Sequence, residues 1–511
     1  MLFQMNTALS QLLLKAEKYY RSGDVSAAIQ QCQKAIKRFA KYAEPYLLMA
    51  NLQQSQGRMD VALDVLETAC QKTSGNYSLK LKYADACMQL GKYSRASIVY
   101  REGMRQQPRN IAWSMRLAAA LQESEKTIEE AITIYHKIAL ANPNEAVVDY
   151  NLGTALKRQH NFEETVIAYR QAVAKAPDDI EYRMGLCNML FEMTNFDEAV
   201  VECEKLLAIK AGIPETLGML YYCHKKLSNY NESLIYAQLW VKATGQTNES
   251  MGALASAQIA VKNYHEAVKS CDIALKKSPA SRRVLADKTI ALSLSDKKSK
   301  AKKLFDIEKL LYITQIDMPE DYGNIGQFNQ ALVNHVEAHP TLRFDGLNHT
   351  CLGGATSNEI FVSPLGPVQH LKERIFSAVN RYRESLINDP AHPWLSNLPA
   401  QSDLNLSGWV TRLRTQGYQQ GHMHPTAWIS GVYYINLPPI DSDNPDSGGI
   451  EFGRAPSYYP DGGDQGEVKV IRPEGGTLVL FPSYFYHRTI PFNASAERFT
   501  LAFDFRTKRF S

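Results

Sequence analysis

The chain has 511 residues, 45% hydrophobic and 22% charged, with a net charge of +4. That length exceeds what one hydrophobic core serves, so two or more domains are expected. A charge this small gives no support to a dedicated nucleic-acid or membrane-surface binder. Eight cysteines lie far apart without a CxxC pair and read as buried, reduced thiols. No stretch has the apolar length of a signal peptide or of a membrane span of about eighteen residues, so a cytoplasmic location is expected.

From the N-terminus, small residues recur at Ala28, Ala62, Ala96, Ala131, Thr165, Ala199, Ser233, Ala267 and Ala301. The steps are 34 residues, apart from one of 35 between Ala96 and Ala131. Further anchors keep the same phase: Ala16, Ala50, Ala84, Ala119, Gly153 and Ala255 lie twelve residues before such positions. Pro108, Pro143, Pro177 and Pro279 lie twelve after, where a residue without an N–H ends a helix. The turn glycine between paired helices is present only at Gly23, Gly57 and Gly91. The ninth unit, "SDKKSKAKKLFDIEKLL", is lysine-rich and reads as the solvated end of an array rather than a nucleic-acid patch.

This period and its small anchors resemble the tetratricopeptide family over residues 6–312, about nine helix pairs. The resemblance implies an all-α superhelix whose concave surface takes a protein or peptide partner.

The rhythm stops near residue 313 at "IDMPEDYG". Residues 313–404 are expected to be a linker with two supporting helices, "NIGQFNQALVNHVEAH" and the amphipathic "VQHLKERIFSAVNRYRESLI". In residues 405–511 the segments "WVTRLRT", "ISGVYYINL", "GIEFG", "EVKVI", "GTLVLFP", "HRTIPF" and "RFTLAFDF" are short and rich in β-branched and aromatic residues. They predict a β-sandwich or jelly roll.

The candidate site lies in this last segment. In "GHMHP", extended backbone would turn His422 and His424 to one face and Met423 to the other. His487 closes "LVLFPSYFYH" sixty-three residues after His424, and three neutral imidazoles suit iron, zinc or copper. A lone HxH is more often two half-exposed histidines in a turn. What strengthens the metal reading is order: HxHP, "SGVYY", "GGIEF", "GTLVLFPS", His487, then Arg498 eleven residues on, with Thr500 on the same face.

That ordered set resembles the iron(II) and 2-oxoglutarate-dependent dioxygenase superfamily, and covers about residues 405–507. The resemblance implies a double-stranded β-helix (jelly-roll) core within an α+β domain following the all-α array. It implies His422 as proximal and His487 as distal iron ligand, Arg498 as clamp on the far carboxylate of 2-oxoglutarate, and Tyr434 beside it. Thr500 is a weaker cosubstrate contact. His424 stands where the superfamily places an acidic ligand, and is taken as the third metal ligand. Glu451 is a neighbouring carboxylate that does not match the family's ligand position. Fe(II) and 2-oxoglutarate are the implied cofactor and cosubstrate, with ascorbate as an accessory reductant.

The leading expectation is a hydroxylase for a protein or peptide captured by the repeats, without nucleic-acid or membrane partners. Acidic residues Asp441, Asp443, Asp446, Asp461, Asp464 and Glu467 in the rim loops hint at a basic substrate, and solvation explains them equally well. Two other readings stand beside it: a binding scaffold with a degenerate oxygenase fold, and a three-histidine dioxygenase without 2-oxoglutarate, against which Arg498 speaks.

Overall fold

A computed structural model describes residues 7–73, 76–344, 351–362, 366–456, 459 and 468–507. The chain divides into two compact units, Met1–Ile209 and Lys210–Ser511.

The first unit is helical, running from Thr7–Arg21 to Phe196–Ile209 in successive helix pairs. The 34-residue rhythm is a packing rhythm. Ala28, Ala62, Ala96, Ala131, Thr165 and Ala199 are all fully buried, because only a small side chain lets one helix lie this close to its partner. A Cβ on Gly103 would come within 2.4 Å of the Trp113 ring, so that position holds glycine for the same reason. The single 35-residue step alters one anchor: Ala118, not Ala119, takes the buried place, and the extra residue is absorbed in the turn between Ile111–Leu121 and Ile128–Ala141. Asp24 and Asp179 cap the helices that follow them, accepting from the Ala27 and Tyr182 N–H groups at 2.9 and 3.0 Å. The helices before Pro108, Pro143 and Pro177 each end two residues short of the proline.

The second unit opens with the remaining repeats, Pro214–Lys226 with Tyr230–Thr244, Asn248–Ala260 with Tyr264–Lys277, and Arg282–Ser293 with the short Lys298–Leu304. Ser233, Ala267 and Ala301 are buried in phase with the first unit. The supporting helices are Ile325–Glu337 and Gly366–Ser385, as the apolar spacing predicts.

Ten strands follow: β1 (Tyr312–Gln315), β2 (Arg343–Phe344), β3 (Cys351–Thr356), β4 (Leu404–Gln419), β5 (Ile429–Asn436), β6 (Ile450–Phe452), β7 (Lys469–Ile471), β8 (Thr477–Pro482), β9 (His487–Thr489) and β10 (Arg498–Thr507). They form an antiparallel seven-stranded sheet in the order β1-β8-β5-β10-β4-β3-β2 and a three-stranded sheet β7-β6-β9. Together they make a jelly-roll core after the all-α repeats. Each of the seven segments predicted from Trp409 onward is a strand, whereas β1, β2 and β3 have no counterpart in the sequence reading.

The large sheet has two unlike faces. On one, Tyr433, Phe503, Phe505, Leu478 and Leu480 join Phe328, Leu332, Ile375 and Val379 of the supporting helices in a continuous core. The Tyr433 hydroxyl donates to Asn329 Oδ1 at 2.6 Å, so that buried polar atom is satisfied. The other face carries the site. Repeat helices of this unit are tied to Tyr459, between β6 and β7, by a buried network in which its hydroxyl bonds Asp287 Oδ1 at 2.7 Å and Ser256 Oγ at 2.8 Å. Lys225 Nζ reaches the same Ser256 at 2.7 Å. All eight cysteines are free, and no described helix is long and apolar enough to cross a membrane.

Candidate metal centre

Strand β10 alternates, Arg498-Phe-Thr500-Leu-Ala502-Phe-Asp504-Phe, with its aromatic and aliphatic residues in the core and Arg498, Thr500, Ala502 and Asp504 on the other face. Register extends this stripe sideways. Thr500 lies opposite Thr411 and Tyr434, Ala502 opposite Trp409 and Val432, and Asp504 opposite Ser407 and Ser430. From this face Arg498, Thr500, Ala502, Trp409, Ser430 and Val432 line a cavity that His422, His424 and His487 also line.

The histidines meet through backbone pairing. His422 and His487 form an antiparallel bridge, each N–H donating to the other's carbonyl at 3.0 Å. The His424 N–H is held by the Ser483 carbonyl at 3.0 Å. This fixes the extended stretch in which alternate residues share a side: ring centroids of His422 and His424 lie 5.2 Å apart, and those of His422 and His487 4.4 Å apart. Met423 packs against the core instead. One ligand atom from each imidazole lies within 4.8 Å of the others.

Each ring has its Nδ1 committed. His422 Nδ1 faces the Gln420 carbonyl at 2.7 Å, His487 Nδ1 the Phe485 carbonyl at 3.0 Å, and His424 Nδ1 the Asp504 carboxylate at 2.7 Å. An oxygen acceptor at Nδ1 puts the ring proton there and leaves the Nε2 lone pair to bind a metal. Burial, reinforced by the neighbouring His424, lowers the pKa of His422 to about 4, and burial holds His487 well below the usual histidine range. Both rings are therefore neutral at pH 7, the form that coordinates.

Arg498 is 2% exposed and has no carboxylate within ion-pair distance among the described residues. Its Nε donates to the Gly448 carbonyl at 2.9 Å and Nη1 to Thr500 Oγ1 at 3.3 Å, while the guanidinium lies 5.2 Å from the centre of the Tyr434 ring. Gly448 presents that carbonyl from a positive φ of 74°, which explains a glycine in "SGGIEF". The Tyr434 hydroxyl is buried on the Arg498 side, where burial pushes its pKa up to about 12 against the opposing pull of the guanidinium. A buried guanidinium with no carboxylate beside it is costly unless an acid joins it, so the Arg498 side of the cavity has the donor set for a carboxylate ligand.

Glu451 is not available to a metal. Its neighbours Ile450 and Phe452 face the cavity side, so it points the opposite way, and Arg454 and Arg488 hold both its oxygens at 2.5–3.1 Å. Burial alone would raise its pKa, yet the two guanidinium groups hold it below the ordinary value. Two residues escape the sequence reading: Asp504, and Trp409, stacked on His424 with centroids 5.6 Å apart. The alternation that puts Thr500 beside Arg498 also points to Asp504, four residues further along the same face.

Fold and cavity together are those of a jelly-roll domain with three convergent imidazoles and a buried arginine, preceded by helical repeats. Residues 407–504 match the family described as "Putative 2OG-Fe(II) oxygenase", and residues 13–77 and 55–121 match tetratricopeptide repeat families. The chain thus fuses tetratricopeptide repeats to a domain of that oxygenase family, for which Fe(II) and 2-oxoglutarate are the implied cofactor and cosubstrate. No curated protein matches. Among solved structures, MamA from residue 41 of Desulfovibrio magneticus RS-1 is 23% identical with a TM-score of 0.29, covering 33% of this chain and 94% of its own. YrrB, described as a TPR protein with an unusual peptide-binding site, is 18% identical at 0.31, covering 34% and 91%. A tetratricopeptide repeat protein from Parabacteroides merdae is 14% identical at 0.37, covering 50% and 100%.

Proposed function

We propose that residues 405–511, with the supporting segment 313–404, act as an Fe(II)- and 2-oxoglutarate-dependent oxygenase that hydroxylates a polypeptide presented by the repeat array of residues 6–312. The observation that carries this reading is the convergence of His422, His424 and His487, each with Nδ1 occupied and Nε2 left to offer. Iron with bound 2-oxoglutarate supplies the oxidation of substrate by O2, with succinate and CO2 as by-products. The chain's own residues position and enclose. His422, His424 and His487 would hold the metal through Nε2. The Arg498 guanidinium pairs with the distal carboxylate of 2-oxoglutarate, since its fork matches that group, and the Tyr434 hydroxyl donates to the same end. Trp409 and Phe481, which line the cavity, keep water from the reacting atoms.

Polypeptide presentation is supported by a second cavity of about 320 Å³ in the C-terminal unit. Its walls include Tyr221, Asn248 and Arg283 of the last repeats together with Pro425 and Thr426, the residues next after His424. Asn248 Oδ1 is buried there without a partner, an acceptor suited to a peptide N–H. The hint of a basic substrate rests on loop acids of which Asp461, Asp464 and Glu467 lie outside the described residues.

Succinate release from 2-oxoglutarate tests the reading. Wild type is expected to turn over with Fe(II), and His487→Ala and Arg498→Ala to lose that turnover. Turnover indifferent to Arg498 would sink the 2-oxoglutarate assignment. The scaffold reading, favoured by His424 in the acid's place, predicts no iron-dependent turnover.

A further inference from the structure

The three imidazoles are not held alike. His422 and His487 give their Nδ1 protons to main-chain carbonyls, whereas His424 gives its proton to a carboxylate, Asp504 Oδ1, at 2.7 Å. Asp504 is 3% exposed, and its other recorded partner is the Ser430 hydroxyl at 2.7 Å. No lysine or arginine lies within ion-pair distance of it among the described residues. The Asp504 carboxylate therefore depends on the His424 ring and the Ser430 hydroxyl, and a cation at Nε2 of that ring would offset the cost of desolvating the charge.

We propose that Asp504 is the positioning residue of this metal centre, returning through His424 the negative charge missing where related oxygenases carry an acidic ligand. The inference rests on the metal-centre reading above and adds to it which residue supplies the charge. A carboxylate bonded to Nδ1–H fixes the tautomer, orients the ring and strengthens Nε2 as a donor. Trp409 stacks on His424 and resists ring rotation, so the bond acts on a ring already clamped. The acid is displaced by one ring rather than lost. That arrangement keeps the centre's overall charge while surrounding the ion with three nitrogens.

The test is a titration of the metal-free full chain with Mn(II), a redox-inert stand-in, following free Mn(II) by electron paramagnetic resonance. Asp504→Asn keeps the shape and the acceptor but removes the charge. It should weaken Mn(II) binding about 10- to 100-fold, the loss typical of an outer carboxylate, with the thermal midpoint of the metal-free protein little changed. Asp504→Glu, which keeps the charge, should recover most of the affinity. Glu451→Gln, at a carboxylate held away from the cavity by Arg454 and Arg488, should bind as wild type does. The His424 Nδ1 proton should resonate far downfield in wild type and move upfield in Asp504→Asn. Equal Mn(II) affinity in wild type and Asp504→Asn overturns the proposal. So does an affinity loss in Asp504→Asn that comes only in step with a lowered thermal midpoint. Wild type that binds neither Mn(II) nor Fe(II) instead refutes the metal-centre reading itself.

Discussion

His160, Thr194, Ser228 and Lys262 adopt φ of 62°, 59°, 62° and 64°, the conformation that Gly23, Gly57 and Gly91 adopt at the same place in earlier repeats. The turn geometry is retained where its glycine is not. A β-branched residue is strained there, with a cost of about 1–2 kcal/mol. Thr194→Gly is therefore expected to raise the stability of the repeats by about 1 kcal/mol, net of glycine's entropy, as a higher midpoint in thermal unfolding. The centre's histidines give a pH dependence of opposite use. In the unfolded chain His422 titrates near 6.5, while burial in the fold lowers it to about 4, and His487 is lowered as well. Between those values the unfolded state binds more protons, so stability is full above about pH 6.5 and falls as pH drops toward 4. Thermal midpoints of the metal-free protein measured from pH 7.5 to 4.5 should decline through that window. Midpoints flat across it would contradict the burial of neutral rings.

Among the elements, strands from β4 onward were legible because alternation on a two-faced sheet writes itself into sequence, most clearly in "RFTLAFDF". β1, β2 and β3 were not. β1 and β3 sit toward the sheet's margins, and "CLGGAT" carries two glycines, with the chain bulging between Leu352 and Gly354, so neither composition nor period marks a strand. The repeats were legible to the residue except where the insertion after Leu121 shifted the anchor from Ala119 to Ala118. At the site, His422, His424, His487, Arg498 and Thr500 line one cavity, while Tyr434 is buried beside Arg498. Asp504 was legible in principle, being in phase with Arg498, but its partner His424 comes from a distant segment that only the fold brings near. Glu451 shows the converse. Sequence proximity to the motif made it a candidate, and strand parity turned it away toward Arg454 and Arg488. Glu451→Ala should lower the thermal midpoint, since it strands two guanidinium groups at the β6–β9 pair, and should leave Mn(II) affinity unchanged. Loss of metal affinity in that variant would put Glu451 back among the ligands.

For the whole molecule, the second unit joins the last repeats to the oxygenase domain through the Tyr459, Asp287, Ser256 and Lys225 network, which is buried and therefore sensitive to loss of any one partner. Burial lowers the Lys225 pKa to about 8, with Asp287 opposing that shift, so this join is electrostatic as well as apolar. It sets the wall of Asn248 and Arg283 beside the loop that carries His424. The central claim concerns what that loop and β10 bind together. Under anaerobic conditions, 2-oxoglutarate should bind the Fe(II)-loaded full chain and not the metal-free one, read by calorimetry. Arg498→Ala should weaken that binding sharply while leaving Fe(II) affinity intact. Binding of 2-oxoglutarate that ignores either the iron or Arg498 would contradict the account.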